Sequence, residues 1–338
     1  MTKLIDIGER ALTRDILPKY CPALGDDCAS IAFGDANIIV TTDPVPEPAA
    51  KVIAGDQDPY WLGWLLVVIN ASDLAAGGAR PLGFVAAVEC PADTEVQSFE
   101  RVLAGIRDAC ISENLPYIGG NLREGPRLTA VGTAVGFAPQ QETLHRKGIS
   151  RGDLLVSVGV GGVFWRDALS VLAGLDMPDH RFSPLFRPRS QLGAISSIRT
   201  NVQIHAAMDN SDGLLATFEQ LAIINDCRLV IDCGSLIVTN AERLGIDPCR
   251  LWLGWGDWNL VVAIAPDDMK LLQNAANSTG VPITQIGVAE AGPRGVWLSR
   301  GEKSIPAARL ESERFSKDSW FSSGIQGYIE CLKSVPVP

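Results

Sequence analysis

The chain has 338 residues, of which 46% are apolar and 20% charged, and its formal net charge is -10. This length predicts two domains, each with its own core, and the composition excludes a disordered chain. The acidic charge argues against nucleic acid or an anionic membrane as a partner, because phosphate groups are bound through clustered Lys and Arg.

The sequence also argues against a membrane protein, a secreted protein and a protein built around zinc sites or disulfides. The longest apolar run, Trp61–Ile69, is too short to span a bilayer and predicts a buried helix. Charges near the N-terminus interrupt the apolar segment that a signal peptide needs, so we expect a cytoplasmic protein. The eight cysteines form no CxxC pair and there are three histidines, which predicts reduced thiols rather than a zinc site or a disulfide framework.

Strand and helix patterns alternate along the chain. In order, the sequence predicts strand 37–42, helix 60–76, strand 83–89, helix 96–113, strand 128–137, a turn-rich linker at 137–153, strand 153–158, helices 163–175 and 213–224, strands 228–231 and 260–265, and helix 267–278. This mixture predicts an α/β (α+β) fold. We place the domain boundary in the linker, which gives domains 1–140 and 141–338.

Acidic residues lie where predicted strands end or helices begin. They are Asp26 and Asp27 in GDD, Asp43 in TTD, Asp73 in SDLAA, and Asp209 and Asp212 in MDNSDGLL. An Asp or Ser before a helix is commonly an N-cap, so residues 72–73 and 211–212 each have a purely structural interpretation. One cap is enough for a helix, which leaves Asp209, Asp43 and the GDD pair without a local explanation.

Convergence of these carboxylates would require a cation. Two unit charges about 4 Å apart repel by on the order of 4 kcal/mol at an effective dielectric constant of 20. Carboxylates and threonine hydroxyls are hard oxygen ligands that suit Mg²⁺ bridged to phosphates. The residue types therefore predict a magnesium-phosphate site, while the spacing leaves the convergence itself open.

Two glycine-containing stretches follow predicted strands. Gly119 and Gly120 lie where backbone amides can approach a phosphate, although Gly-Gly-Asn is also a common turn. The stretch VSVGVGG at 156–162 leads into a helix whose N-terminus would favour an anion. Neither stretch has the Walker pattern, which argues against a P-loop kinase.

Between Gly25 and Leu260 the motifs GDD, TTD, N-x-SDLAAxGA-x-P, GG-x, R-x-G-x-x-x-GD and MD-x-SDGLL occur in an order that resembles thiamine-monophosphate kinase, of the aminoimidazole ribonucleotide synthetase-like (PurM-like) superfamily. The resemblance implies an N-terminal dimerising sheet domain, a C-terminal α/β domain, and a homodimer that binds ATP and magnesium. It implies metal ligation by Asp27, Thr41, Thr42, Asp43, Asp73, Asp209 and Asp212, and nucleotide contacts by Gly119, Gly120, Asn121, Arg146 and Ser211. Phosphoryl transfer needs positioning and charge neutralisation, so no residue is assigned as a nucleophile.

Three departures from the family pattern concern the metal and acceptor side. The family's Asp after the two glycines is Asn121, its substrate-binding His falls on Ala50, and a Glu of its late GEDYEL-type motif corresponds to Asn259. Asn259 and Trp320 are the expected acceptor-side residues. Of the other tryptophans, 252, 255 and 258 are expected mainly in the core, with the acceptor pocket as the alternative.

The sequence therefore predicts an ATP- and magnesium-dependent kinase whose small-molecule acceptor is not thiamine monophosphate. Two alternatives stay open. One is an ATP-dependent synthetase that activates an amide or carboxylate by phosphorylation. The other is a nucleotide-binding protein whose catalysis is weakened by Asn121 and Asn259.

Overall fold

The computed structural model describes residues 2–21, 25–310, 314–315 and 324–338. Trp320, an expected acceptor-side residue, lies outside these ranges. Within them the chain forms a mixed α/β fold with two sheets, as the sequence predicts. No helix in this part of the chain has the length and apolar character needed to cross a membrane.

The first sheet has five strands within the described residues. They are β1 (Ala29–Phe33), β2 (Ala36–Pro44), β3 (Arg80–Cys90), β4 (Tyr117–Glu124) and β5 (Thr129–Pro139), in the spatial order β1-β2-β5-β3-β4. Strands β3 and β4 are parallel and the other neighbours are antiparallel. The predictions for β2, β3 and β5 are confirmed. Gly119 and Gly120 lie inside β4, not in a turn after a strand.

Helices cover one face of this sheet. They are preceded by short helical turns between Leu4 and Lys19 that include α1 (Glu9–Ala11), and they comprise α2 (Ala49–Val52), α3 (Tyr60–Ala76) and α4 (Val96–Ser112). The predicted helix over 60–76 is confirmed as α3, which is buried on nearly every side. It ends where Gly78 adopts a φ of 67° and Ala79 N–H donates to the Leu74 carbonyl at 2.9 Å, a glycine-dependent helix stop.

Helices α3 and α4 cross at two glycines. A Cβ atom on Gly63 would lie 2.1 Å from the Val102 carbonyl oxygen, and one on Gly105 would lie 2.1 Å from the Tyr60 carbonyl oxygen. Both contacts are with helix backbone, which cannot rotate away as a side chain would. The absence of side chains at these two positions therefore sets how closely α4 approaches α3.

The opposite face of the first sheet is open in the chain. Exposed apolar side chains on this face are Ile31, Phe33, Ile118 and Val131. Edge strands β1 and β4 are exposed along their whole length. A contiguous apolar surface of this kind is typical of a protein interface.

The second sheet has seven strands within the described residues. They are β6 (Leu154–Val158), β7 (Ile204–Asp209), β8 (Arg228–Asp232), β9 (Leu260–Ile264), β10 (Ile283–Glu290), β11 (Gly295–Arg300) and β12 (Lys303–Pro306), in the spatial order β12-β11-β8-β10-β6-β9-β7. Strands β8 and β11 are parallel, and the other neighbours are antiparallel. The predicted strands at 153–158, 228–231 and 260–265 are confirmed to within one residue at each end.

Six further helices accompany this sheet in the described ranges: α5 (Val163–Leu172), α6 (Leu192–Ile198), α7 (Leu214–Ile224), α8 (Pro248–Leu253), α9 (Met269–Thr279) and α10 (Ile325–Ser334). The prediction for α5 extends too far, to residue 175. Helix α5 ends earlier because Gly174 adopts a φ of 66°, and Leu175 N–H donates to the Ser170 carbonyl at 3.0 Å.

The two halves of the chain pack on each other through α3 and the segment 183–190. Trp64 Nε1 donates to the Pro188 carbonyl at 2.9 Å, and the Arg187 guanidinium lies 4.8 Å from the centroid of the Trp64 ring. Glu113, at the end of α4, accepts hydrogen bonds from the backbone and hydroxyl of Ser190. Because these contacts are buried, they fix the second half of the chain against α3 and α4.

We predict that Gly105→Ala destabilises the protein, because the new methyl group meets the Tyr60 carbonyl and the helices must separate. The expected loss is about 2 kcal/mol or more in the free energy of unfolding. Gly193→Ala in α6 is the matched control, since nothing lies within 4 Å of a Cβ there, and it should be neutral or stabilising by up to about 1 kcal/mol. Urea denaturation of both variants tests this, and equal effects would contradict the close-crossing explanation.

Candidate functional site

Three carboxylates from distant segments meet between the two halves of the chain. Asp27 precedes β1, Asp73 lies on α3, and Asp209 ends β7. Each offers an oxygen atom, and these atoms all lie within 4.8 Å of one another. We call these three residues the acidic cluster. The convergence that the sequence left open is therefore present in the structure.

Hydroxyl groups hold the carboxylates of the acidic cluster in place. Thr41 Oγ1 donates to Asp73 Oδ2 at 2.6 Å, and it lies 3.4 Å from Asp43 Oδ2. Ser72 Oγ donates to Asp209 Oδ2 at 3.1 Å across the two halves of the chain. These contacts place Asp43 at the margin of the cluster.

The N-cap interpretation of these residues is wrong. Helix α3 begins at Tyr60, so Ser72 and Asp73 lie in its last turns and cannot cap its N-terminus. The N-cap residue of α7 is Gly213, and α7 has no side-chain capping hydrogen bond. Ser211 Oγ instead donates to Asp209 Oδ1 at 3.2 Å. Local helix chemistry thus does not account for these polar residues.

The acidic cluster is electrostatically unfavourable when its carboxylates are charged. Burial, followed by repulsion from neighbouring carboxylates, raises the pKa of Asp73 and the pKa of Asp209 well above the ordinary value. Burial also raises the pKa of Asp212, while Arg314, Arg10 and Arg146 oppose that shift. A cation beside Asp73 and Asp209 would favour the charged form of both carboxylates.

Arg146 supplies part of that compensation. Its guanidinium forms an ion pair with Asp27, whose side chain is 4% exposed. Its backbone N–H donates to Asp26 Oδ1 at 2.8 Å, and His145 Nδ1 lies 2.8 Å from Asp26 Oδ2. Asp26 therefore anchors the linker between the two sheets, whereas Asp27 faces the cluster.

The donor set fits a hard divalent cation. It consists of carboxylate oxygens with a threonine hydroxyl beside them, which is the ligand chemistry of Mg²⁺ rather than of zinc or copper. One guanidinium brings a single positive charge to three clustered carboxylates, and the pKa of Asp73 and the pKa of Asp209 stay raised beside it, chiefly through burial. The side chains of the acidic cluster are therefore suitable ligands for a divalent ion such as Mg²⁺.

Thr42 is not brought to the acidic cluster. Neighbouring residues on a strand point to opposite faces of the sheet, and Thr42 Oγ1 donates to the Gly132 carbonyl at 3.0 Å on the open face. Its metal role stays a prediction.

The Gly119-Gly120-Asn121 segment also lies apart from the cluster within one chain. Across the sheet, Asp43 aligns with Gly132, Gly132 with Ala86, and Ala86 with Gly120. Three strand spacings amount to about 14 Å. The nucleotide contacts of this segment therefore also stay predictions, and Asn121 lies on the exposed edge strand β4.

A pocket adjoins the acidic cluster at Ser211 and Asp212. It has an empty volume of about 780 Å³ that opens to solvent. Its walls are mainly aromatic and proline side chains from both halves of the chain: Pro46, Pro48, Trp61, Phe164, Pro184, Phe186, Pro188, Trp255 and Trp258, with Glu47 and Arg314 as charged members. We call it the aromatic pocket. It is a concave, largely apolar site with a few polar groups at one end, as small-molecule sites commonly are.

Most of the pocket lining was missed from the sequence. Trp255 and Trp258 were expected mainly in the core, but both line the pocket, whereas Trp252 is buried as expected. Trp258 has a φ of 56°, an uncommon conformation for a bulky residue. Trp61, Phe164 and Phe186 carry no local signal, because each resembles an ordinary core residue in its own segment.

Asn259 has a structural environment. It is fully buried, its Nδ2 donates to Ser157 Oγ at 2.6 Å, and its Oδ1 accepts from Asn210 Nδ2 at 2.8 Å. Both ends of its amide are satisfied inside the second sheet, and it does not line the aromatic pocket. Its place between β9 and the end of β7 supports the backbone that carries Asp209.

The glycine stretch 156–162 is not available to an anion. Asp257 accepts hydrogen bonds from Gly162 N–H at 2.6 Å and Phe164 N–H at 2.9 Å, so a carboxylate already occupies the N-terminus of α5. A Cβ on Gly161 would lie 2.3 Å from the Trp252 ring, which covers this turn. Burial raises the pKa of Asp257 to about 7, although its backbone hydrogen bonds oppose the shift.

Comparison with known proteins identifies the class of fold. Residues 25–138 match the family model "AIR synthase related protein, N-terminal domain". The structure of AaThiL complexed with AMPPCP and TMP superposes with a TM-score of 0.75 at 23% identity, covering 90% of this chain and 97% of that one. Hydrogenase maturation protein HypE in complex with ATP superposes with a TM-score of 0.67 at 19% identity, covering 92% and 98%. The fold is thus the two-domain PurM-like fold.

Comparison with sequences of known proteins then identifies the family. Thiamine-monophosphate kinase from Halobacterium salinarum is 30% identical over 303 residues, which is 88% of this chain and 93% of that protein. The chain therefore belongs to the thiamine-monophosphate kinase family, and the resemblance in its motifs is confirmed.

We predict that Mg²⁺ stabilises the protein, and more strongly as pH rises. Asp73 and Asp209 have raised pKa values in the folded state, so without metal the stability falls as pH rises from the unfolded-state value near 4 through those raised values. Metal binding releases these protons, which makes its stabilising effect larger at about pH 8 than at about pH 5. Thermal melting with and without MgCl₂ at both pH values measures this.

Asp209→Asn and Asp93→Asn provide the matched comparison for this prediction. Asp209→Asn removes one buried charge and should raise the metal-free melting temperature at about pH 8 while abolishing most of the Mg²⁺ effect. Asp93 is exposed and lies in the turn after β3, so Asp93→Asn should behave like the parent. A Mg²⁺ effect that is independent of pH, or undiminished in Asp209→Asn, would contradict the cluster as the metal site.

Proposed function

We propose that this protein is an ATP- and magnesium-dependent kinase that phosphorylates a small molecule bound in the aromatic pocket. The observation that carries the proposal is the direct continuity between the acidic cluster and the pocket. Asp209 belongs to the cluster, Ser211 hydrogen-bonds to it, and Ser211 and Asp212 line the pocket. A phosphoryl donor held at the cluster would therefore lie at the polar end of the acceptor site.

ATP is proposed on the basis of family membership and the residue chemistry. Asp27, Asp73 and Asp209 would hold magnesium, with Thr41, Asp43 and Asp212 beside them. Magnesium, when bound, neutralises charge on the transferring phosphoryl group. Structural relatives whose names include AMPPCP or ATP are consistent with this nucleotide site.

The protein's own residues would contribute positioning and electrostatics. Arg146 is partly buried and its guanidinium pairs with Asp27 of the cluster, so exchange of this ion pair for phosphate contacts would bring positive charge to the nucleotide. Ser72 and Ser211 hold the Asp209 carboxylate from two directions. Asp209 is buried and Asp27 and Asp73 are partly buried, which strengthens these electrostatic interactions relative to bulk water. No covalent enzyme intermediate is needed.

The proposed acceptor has a flat or aromatic body. Trp61, Trp255 and Trp258 supply ring surfaces for a flat group. Glu47, Asp212 and Arg314 supply charged groups of both signs for its polar substituents. Ala50, at the position of the family's substrate-binding His, is buried beside the pocket-lining Pro48 and Ala49 and offers no polar contact. We therefore propose that the acceptor differs from thiamine monophosphate in the group that the family's His would meet.

A homodimer is part of the proposal. The open face of the first sheet presents the apolar residues of β1, β4 and β5 to solvent, and a second copy that covers this face would remove them from water. Thr42 and Asn121 lie on that side of the molecule. Their implied roles would then depend on the dimer.

We predict ADP release when the protein is given ATP, Mg²⁺ and acceptors screened as a panel that includes thiamine monophosphate. Asp209→Asn should lower the rate by about 100-fold or more, because a buried charge at the phosphoryl-transfer site is removed, and Asp93→Asn should leave it unchanged. Phosphorus NMR should show a new phosphorylated product. Free phosphate in its place would favour a synthetase, and no ADP with any acceptor would favour a non-catalytic nucleotide-binding protein.

We predict that Trp258→Ala separates acceptor binding from nucleotide binding. Removal of one ring of the aromatic pocket should raise the KM for the acceptor by about 10-fold or more, with the KM for ATP changed less than about 2-fold. Trp297→Ala is the control, since that ring packs against Arg228 on the second sheet, away from the pocket. An equal rise in both KM values would place Trp258 outside the acceptor site.

A further inference from the structure

Two cysteines that are distant in sequence are in contact in the second half of the chain. Cys233 directly follows β8, and Cys249 lies in the first turn of α8. Their Sγ atoms are 2.6 Å apart and both residues are buried. A covalent S–S bond is about 2.05 Å long, so a small movement of the side chains suffices to join them. The sequence, which lacks a CxxC pair, gave no indication of this pairing.

The backbone around both cysteines is held by a single strand. Cys233 N–H donates to the Ser299 carbonyl at 2.8 Å. Cys249 N–H donates to Asp247 Oδ1 at 2.9 Å, and the Asp247 carboxylate accepts two hydrogen bonds of 2.7 Å from Arg300. Ser299 and Arg300 are neighbours on β11. The fold therefore fixes the two cysteines next to each other independently of any bond between them.

The surroundings also favour reaction at one of the two sulfurs. The hydrogen bond from Cys249, together with the positive charge of Arg300, lowers the pKa of Cys233, and burial opposes the shift. Thiolates are the nucleophiles of disulfide exchange. Cys233 also lies at the start of a turn whose next residue, Gly234, is exposed, so local opening of this turn would admit a reagent to it.

We propose that Cys233 and Cys249 form a reversible intramolecular disulfide when the protein meets a low-molecular-weight disulfide. The Cys233 thiolate attacks one sulfur of the reagent and releases the first thiol. The Cys249 thiolate then attacks the Cys233 sulfur of the mixed disulfide and releases the second. Two protein thiols are oxidised, one reagent disulfide is reduced to two thiols, and the two protons pass to those thiols.

The Cys233–Cys249 disulfide would link one wall of the aromatic pocket covalently to the second sheet. Helix α8 carries Trp252, which covers the turn before α5, and the chain continues directly into Trp255 and Trp258 of the pocket lining. A link from α8 to the end of β8 would restrict movement of this wall. The proposal does not depend on the kinase function, since it concerns the covalent state of the chain.

Peptide mapping of the full chain tests the proposal. The protein is incubated with oxidised glutathione, quenched in acid, alkylated and digested with trypsin. Cleavage after Arg228, Arg243 and Arg250 places Cys233 in peptide 229–243 and Cys249 in peptide 244–250. We expect these two peptides to be joined and to separate after reduction. Complete alkylation of both cysteines, under conditions that glutathionylate the exposed Cys21 and Cys331, would overturn the proposal.

Thermal melting gives a second readout. The oxidised protein should melt a few °C higher than the reduced protein, because the bond closes the loop 233–249 in the unfolded chain. Cys249→Ala should remove this difference. Cys110→Ala, which also truncates a buried cysteine but in α4, should retain it. An oxidation-dependent shift that persists in Cys249→Ala would assign the effect to other cysteines and overturn the proposal.

Discussion

The repulsion among buried carboxylates is the constraint on which the site depends. Asp27, Asp73 and Asp209 lie within 4.8 Å of one another, and their burial makes each uncompensated charge costly. Other contacts hold the three segments together against this repulsion. Thr41 and Ser72 hydrogen-bond to two of the carboxylates, and Asp26 anchors the linker that carries Arg146. A cation at this point would strengthen the contact between the two halves of the chain.

Helix α3 connects the remaining parts of the molecule. Its first turns contact the segment 183–190 through Trp64, and its last turns carry Ser72 and Asp73 into the acidic cluster. Its crossing with α4 is set by two glycines. Helix α3 therefore contacts both halves of the chain and contributes to the candidate site. These contacts explain why its sequence is apolar on nearly every side.

Much of the fold was predictable from local pattern. Helix α3 was predicted at its observed bounds because a largely apolar stretch ends at Gly77 and Gly78, and strands such as β9 are uniformly apolar and buried. The edge strands β1 and β4 were not recognised as whole strands, because they are exposed along their whole length and lack the alternation that marks a half-buried strand. The end of α5 was missed because its apolar pattern continues past Gly174.

The candidate site also has parts that the sequence predicted and parts that it did not. The acidic residues were recognisable because their motifs occur in the same order as in the family that the chain resembles. The aromatic pocket was not, because Trp61, Phe164 and Phe186 come together only when the two halves pack. Asn259 was expected on the acceptor side, and its hydrogen bonds to Ser157 and Asn210 place it inside the second sheet. A single sequence cannot distinguish a changed ligand contact from a buried structural amide.

The rigidity of α3 has a consequence for what the pocket can accept. Trp61 and Asp73 lie on the same helix, and at 1.5 Å of rise per residue their backbones are about 18 Å apart along its axis. Because α3 is continuous and buried on nearly every side, it sets the backbone separation between Trp61 in the aromatic pocket and Asp73 in the acidic cluster. If the proposed phosphoryl donor binds at the acidic cluster, the length of α3 would help to set how far a compound held against Trp61 must extend to meet it.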